Sequence, residues 1–351
     1  MLFLTRMFGV TGSDAERDLA GEQELIAAIT AKVLLLQKNS AARQNRSLGR
    51  GTHAKGTCAR AQFEVLDVKA GRDPGLAARL SRGIFAAPGA YPAVVRFANA
   101  DSNVNSDFKA DVRSLSFSVD LTRNGTISGQ LARQDFSLQN TTTLPINDAR
   151  GFVAIMNLLT ASNPAAGLWS LPFKDKLRVM RILALVQVQS HQKMKPYQLL
   201  RYGSNTPFRH GPEVVKFSAT PLLDNSAHAL KRGNPNALQD ELIRHLDEDG
   251  RMSAFDFGVQ FLDAERMTYW GKRHDASFFT ENASVEWNES QAPFHTVARL
   301  TLLPKSQLVA QEADAISFDV TGNASPDSAP VGSINRARHQ GEVASKHART
   351  R

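Results

Sequence analysis

Two stretches of this chain alternate large apolar residues with small or polar ones at every second position, and that alternation constrains the fold most. Between Val112 and Val119, Arg113, Leu115, Phe117 and Val119 interleave with Val112, Ser114, Ser116 and Ser118. Phe255, Phe257, Val259 and Phe261 repeat the pattern later. A period of two sends one set of side chains to a core and the other outward, as in a half-buried strand. Phe63 and Val65, then Val95 and Phe97, read the same way, and the apolar run Val297–Leu303 predicts a strand ended by Pro304. Half-buried strands belong to antiparallel sheets, whereas parallel strands are apolar on both faces. The expected class is therefore α+β on an antiparallel sheet or barrel, not a doubly wound fold.

Helical spacing frames these strands. Ser13-Asp14-Ala15-Glu16 reads as a capping box, followed by Leu25, Ile26, Ile29, Val33 and Leu36 on one face. Helices are also predicted over Asp148–Leu159 and Lys174–Gln189, and from Asn234-Pro235-Asn236 through Leu246; a last one runs from about Ile334. Asn39–Lys55 is polar and reads as an arm, and Asn124-Gly125 as a turn between strands. The expected organisation is an N-terminal helix over 1–40, a barrel core with inserted helices over 41–330, and a basic helix over 331–351.

At 351 residues, 42% apolar and 22% charged, the chain has the composition of a globular protein and not of a disordered one. Its net charge is +8, and half of that excess lies in Val331–Arg351, where five Lys and Arg face the single acid Glu342. The basic tail lacks aromatic interleaving, so no nucleic-acid partner is expected. One cysteine, Cys58, excludes an internal disulfide and any cysteine-clustered zinc or iron–sulfur site. No apolar stretch reaches 18 residues, and the start Met1-Leu2-Phe3-Leu4 is too short for a secretory signal. The expected location is cytoplasmic.

Three segments hold groups with chemical potential. In Arg50-Gly51-Thr52-His53-Ala54-Lys55-Gly56, His53 is either a general acid/base or an ordinary satisfied histidine. Asn140, leaving the strand Asp135–Gln139, is either a turn residue or a positioning amide. Arg96 sits inside the apolar run Val94-Val95-Arg96-Phe97, so it needs either an acidic neighbour or an anionic ligand.

Taken together, these segments resemble the catalase superfamily, particularly its short catalase-like members. Arg50–Gly56 leading into Phe63-Glu64-Val65 looks like the Arg-x-x-His-Ala-x-Gly signature. Ala93–Phe97, Asp111–Leu115 (with Ser114 where glycine is usual) and Asp135–Asp148 are similar to the strands and segment that follow it. Phe279–Trp287 and Phe294–Pro304 also resemble that superfamily. The resemblance implies an eight-stranded antiparallel β-barrel with surrounding helices, haem b bound at one side, and a peroxide or organic hydroperoxide substrate. It implies His53 as acid/base, Asn140 as the group that positions peroxide, and Arg50 and Arg96 as partners of the haem propionates.

Two departures redirect that expectation. Thr52 precedes His53 where catalases usually carry valine; in the related allene oxide synthases a threonine there binds the histidine, which favours fatty-acid hydroperoxides. The family's proximal tyrosine, in Arg-x-x-x-Tyr, is replaced by Glu342 in Asn335-Arg336-Ala337-Arg338-His339-Gln340-Gly341-Glu342. Either Glu342 ligates iron, or His339 or His347 supplies an imidazole, or Arg338 and Glu342 form an i,i+4 ion pair and the haem pocket is degenerate. Gly341 weakens any helix here.

Overall fold

The computed structural model describes residues 15–122 and 132–349. The turn Asn124-Gly125, and Ser13 and Asp14 of the capping box, lie outside the described residues. In chain order the strands are β1 (Gly56–Val65), β2 (Gly89–Asn99), β3 (Arg113–Asp120), β4 (Arg133–Gln139), β5 (Tyr202–Gly203), β6 (Phe208–His210), β7 (Glu213–Pro221), β8 (Ser253–Phe261), β9 (Thr268–Tyr269), β10 (Lys272–Arg273) and β11 (Phe294–Gln307). β9 and β10 form a separate hairpin. The others make one sheet in the order β5-β4-β3-β2-β1-β11-β8-β7-β6, antiparallel throughout. β5 bonds β4 on one side (Gln139 with Gly203) and β7 on the other (Tyr202 with Ala219). That double pairing closes an eight-stranded antiparallel barrel, with β6 attached outside the ring. The expected fold class is the observed one.

The alternation decides what fills the barrel. Phe63, Phe117, Phe136, Phe217 and Phe257, from five different strands, point inward and are essentially inaccessible. Their rings form a connected cluster, with Phe117 4.8 Å from Phe136 and Phe257 5.1 Å from Phe136. Each such burial is worth about 1.5–3 kcal/mol, and each edge-on or offset ring pair adds roughly 0.5–1.5 kcal/mol. The lumen is thus a packed core, and a ligand site has to lie outside the wall.

Pro304 does not end its strand. β11 continues to Gln307 through an irregularity opposite Ala59 and Ala61, where the partners jump from Leu302 to Gln307. A bulge frees the residue whose missing N–H would otherwise break the ladder.

Four helices cover one side of the barrel: α1 (Glu22–Arg43), α2 (Ala149–Thr160), α3 (Phe173–Ser190) and α4 (Ser333–Arg349). α1 begins after Gly21, whose φ of 70° suits glycine, and not at the predicted capping box. Glu16 instead bonds Arg209 and Arg336. Ile26, Ile29, Val33 and Leu36 of α1 pack with Ala154, Ile155 and Leu158 of α2, Val179 and Ile182 of α3, and Ala337 of α4. α4 is anchored at its start by Arg336, which meets Glu22 at 2.5 Å, Glu16 at 3.1 Å and Glu281 at 3.2 Å. No described helix is long and apolar enough to cross a membrane.

Candidate functional site

Register on the outer wall prepares the site. Cys58 pairs with Arg96, Arg96 with Ser116, and Ser116 with Ser137, so these outward side chains form a row across β1, β2, β3 and β4. The two serines are small and leave space between the wall and the helices. That space is a cavity of about 510 Å³. The wall contributes Arg96, Ser116, Ser137 and Gln139; α1 contributes Ile29 and Val33; the loop before β1 contributes Arg50, Thr52 and His53. Leu144, Ile146 and Phe152 add an apolar side. α4 supplies Arg338, Glu342, Ser345 and Arg349, which recur at intervals of four, three and four residues and so share one helix face.

His53 has a φ of 56°, an unusual conformation for a non-glycine residue. It is held by its own N–H, which donates to the Ala100 carbonyl at 3.2 Å, and by its carbonyl, which accepts from the Arg96 guanidinium at 2.9 Å. Arg96 lies so close over Gly56 that a β-carbon there would sit 2.7 Å from the guanidinium and 2.5 Å from the Phe97 carbonyl oxygen. Gly56 is therefore a steric requirement. The His53 ring sits 3.2 Å from Thr52 Oγ1 through Nδ1, the contact the resemblance implies. Burial, then the positive charges of Arg96, Arg338 and Arg50, push its pKa down to about 3. The imidazole is neutral at physiological pH, with one ring nitrogen able to accept a proton.

Cationic charge in the cavity is poorly neutralised. Among the described residues, Arg50, Arg96 and Arg349 have no carboxylate within ion-pair distance, although Arg96 is buried. Arg50 uses carbonyls instead, donating to Ile316 at 2.5 Å and Ala313 at 3.4 Å. Burial and the neighbouring Arg96 and Arg349 charges lower the Arg50 pKa to about 9. Burial lowers those of Arg96 and Arg349 as well. Asp314 acts on all three from beyond ion-pair distance, so three guanidiniums share one remote counter-charge, and such a cluster favours an anionic occupant.

On α4, Arg338 Nε donates to Glu342 Oε1 at 2.9 Å, the i,i+4 pair the sequence allows. Glu342 Oε2 is buried and has no hydrogen-bond partner. His339 is occupied elsewhere: its Nδ1 lies 3.1 Å from Asp319 Oδ1, and that bond raises its pKa. His347 lines the cavity with Glu342. No group of three or more potential metal ligands occurs among the described residues.

The structure brings Arg50, Thr52, His53, Arg96, Arg338 and Glu342 to one cavity, but not Asn140. Asn140 lines a smaller cavity of about 210 Å³, where its Oδ1 accepts from the Arg113 backbone at 2.7 Å and its Nδ2 donates to Gln192 at 3.2 Å. The preceding residue, Gln139, faces the space shared with His53. One step along a strand reverses the face, so Gln139 follows Ser137 outward and Asn140 does not. The Gln139 carboxamide meets that of Asn205 at 3.1 Å, and Asn205 also lies 2.9 Å from Thr141 Oγ1. Arg349 was also missed; its signal was the helical interval from Arg338 and Glu342.

No family model matches this chain, and no curated protein matches it. Solved structures do resemble it. A fungal catalase superposes with a TM-score of 0.64 at 14% identity, over 90% of this chain and 62% of that one. Catalase A from Saccharomyces cerevisiae gives 0.63 at 15%, over 89% and 63%, and a bacterial catalase 0.58 at 15%, over 90% and 60%. The architecture is therefore that of the catalase barrel. The chain spans less than two thirds of the length of those catalases.

Proposed function

We propose that the chain binds haem b between the barrel's outer wall and α4 and acts there on peroxides. One observation carries this reading: three guanidiniums without an ion-pair partner, a neutral imidazole and a carboxylate with one unpartnered oxygen line a single cavity. Arg50, Arg96 and Arg349 suit the propionate edge of the group, because each lines the cavity and is reached by Asp314 only beyond ion-pair distance. The unpartnered Oε2 of Glu342 is an oxygen donor on the opposite helix, its charge moderated by Arg338. When bound, haem would supply the iron at which a peroxide O–O bond is broken.

The chain's own residues would handle protons and orientation. His53, neutral, takes the proton of the hydroperoxyl group and returns it to the leaving oxygen. Gln139 offers a carboxamide for the peroxide oxygen and is steadied by Asn205. A second reading, an organic hydroperoxide as substrate, is favoured by the Thr52–His53 contact, which occupies one imidazole nitrogen. The apolar side formed by Leu144, Ile146 and Phe152 favours it too.

Reconstitution with haemin tests the proposal. A stoichiometric Soret band is expected, with turnover of hydrogen peroxide or a fatty-acid hydroperoxide that His53→Ala abolishes while haem stays bound. Absence of a stoichiometric band would end the haem reading. A band without turnover of either peroxide would leave a non-enzymatic haem-binding protein.

A further inference from the structure

Helix α3 has two apolar faces, and only one of them is used. Val179 and Ile182 pack inward against α1 and α2. On the other side Phe173, Leu177, Met180, Ala184 and Val188 fall within about 80° of one another at 3.6 residues per turn. That stripe is open: Phe173 is 74% exposed, Leu177 52%, Met180 54% and Val188 73%. Trp169, in the short helix Pro164–Ser170 just before α3, is 74% exposed and lies beside Lys176 at the stripe's flank. Scattered single apolar residues on a surface need no explanation, but a contiguous stripe with an aromatic end does.

The charge beside the stripe has one sign. From Lys174 to Lys195 the bases are Lys174, Lys176, Arg178, Arg181, Lys193 and Lys195, against the single acid Asp175, which Arg178 already pairs at 2.6 Å. At helical spacing, Lys174, Arg178 and Arg181 flank one side of the stripe and Lys176 the other. Lys176 also lies 5.3 Å over the Trp169 ring, keeping its charge beside the aromatic end. An apolar band carrying Trp and Phe, edged by Lys and Arg, is the pattern of a helix lying in a membrane interface, its bases reaching up to the headgroups.

We infer that Trp169 and the outer stripe of α3 dock the protein on a bilayer carrying anionic lipid. The apolar side chains enter the headgroup–acyl boundary while the flanking bases meet headgroup phosphates and carboxylates. A second copy of the chain would bring like-charged flanks together, so the bilayer is the better match. This attachment does not depend on haem or on any turnover.

Co-sedimentation of the full chain with vesicles tests it, using phosphatidylcholine alone or mixed with phosphatidylglycerol. Binding to the mixed vesicles should be at least about tenfold tighter and should weaken as salt rises, as several Lys and Arg at an anionic surface require. Phe173→Ser combined with Leu177→Ser should abolish it, and Lys174→Glu should weaken it severalfold. These positions are exposed, so thermal melts should match the parent and show that binding was lost without unfolding. No sedimentation with phosphatidylglycerol vesicles, or equal sedimentation of the double variant, overturns the inference. So does a parent dimer that the double variant converts to monomer without any vesicle binding, which would assign the stripe to a second copy.

Discussion

Glu342 gives one carboxylate oxygen to Arg338 Nε at 2.9 Å and leaves the other, Oε2, buried without a hydrogen-bond partner. This half-satisfied carboxylate stands where the resemblance leads one to expect a phenolate. Glu342→Tyr is expected to raise haem retention, since a phenolate beside Arg338 is a stronger iron ligand, and Glu342→Gln to lower it. The fraction of Soret absorbance surviving gel filtration measures both. Equal retention in the parent and both variants would separate Glu342 from the haem.

The one-residue step between Gln139 and Asn140 gives a sharper test. If Gln139 positions the peroxide, Gln139→Ala should cut turnover by roughly 100-fold, the scale of a lost oxyanion-type donor. Asn140→Ala should leave turnover within about twofold but cost roughly 1–2 kcal/mol of stability, because it abandons the backbone of Arg113. Steady-state kinetics with urea melts distinguish the two, and the opposite ranking would restore Asn140.

How far these features were legible follows from their periodicity. β3 and β8 announced themselves because their alternation spans a whole strand. β5, only Tyr202–Gly203, has no period to detect, yet its pairing with β4 and β7 closes the ring. Arg96 stood out because charge inside an apolar strand demands a partner, and Arg50 and His53 because Arg50–Gly56 resembles the family's signature. Gln139 and not Asn140 lines the cavity with His53 because face is a matter of parity, and one step in register reverses it. The short helix Pro74–Leu80 was overlooked although Asp73 caps it through the Leu76 N–H.

His53 makes stability depend on acid. Its folded pKa is about 3, below the 6.5 of an ordinary histidine, so between these values the unfolded chain binds the extra proton. Stability from this group is complete above pH 6.5 and falls as pH drops toward 3. His53→Gln should therefore flatten the decline of the urea midpoint between pH 6.5 and 4. An unchanged slope would mean the imidazole is protonated inside the cavity.

Arg336 serves three carboxylates at once, Glu16, Glu22 and Glu281, and so ties α4 to α1 and to the helix Ala276–Glu281. Arg336→Met strands those acids beside one another in a largely buried setting. A loss of about 3–5 kcal/mol is expected, the range for breaking a buried charge network by removing one partner. The comparison is the urea midpoint at neutral pH, where a change under about 1 kcal/mol would reduce this network to a surface ornament.

Gly341 lies inside α4 and on the cavity wall, and the sequence marked it as a weak point in the helix. A β-carbon there would meet Val33 Cγ2 at 3.6 Å, an ordinary van der Waals contact, and Gly341 is absent from the glycines with positive φ. Neither space nor backbone conformation requires glycine. Gly341→Ala should then stabilise the fold by about 0.5–1 kcal/mol through helix propensity, with a small gain from the Val33 contact. If haem lies flat against this face, the same methyl group should lower haem retention while stability rises. Thermal melts and Soret retention, measured on one variant, thus separate the helix from the cavity it lines. A variant that is both less stable and unchanged in retention would contradict the placement of α4 against α1.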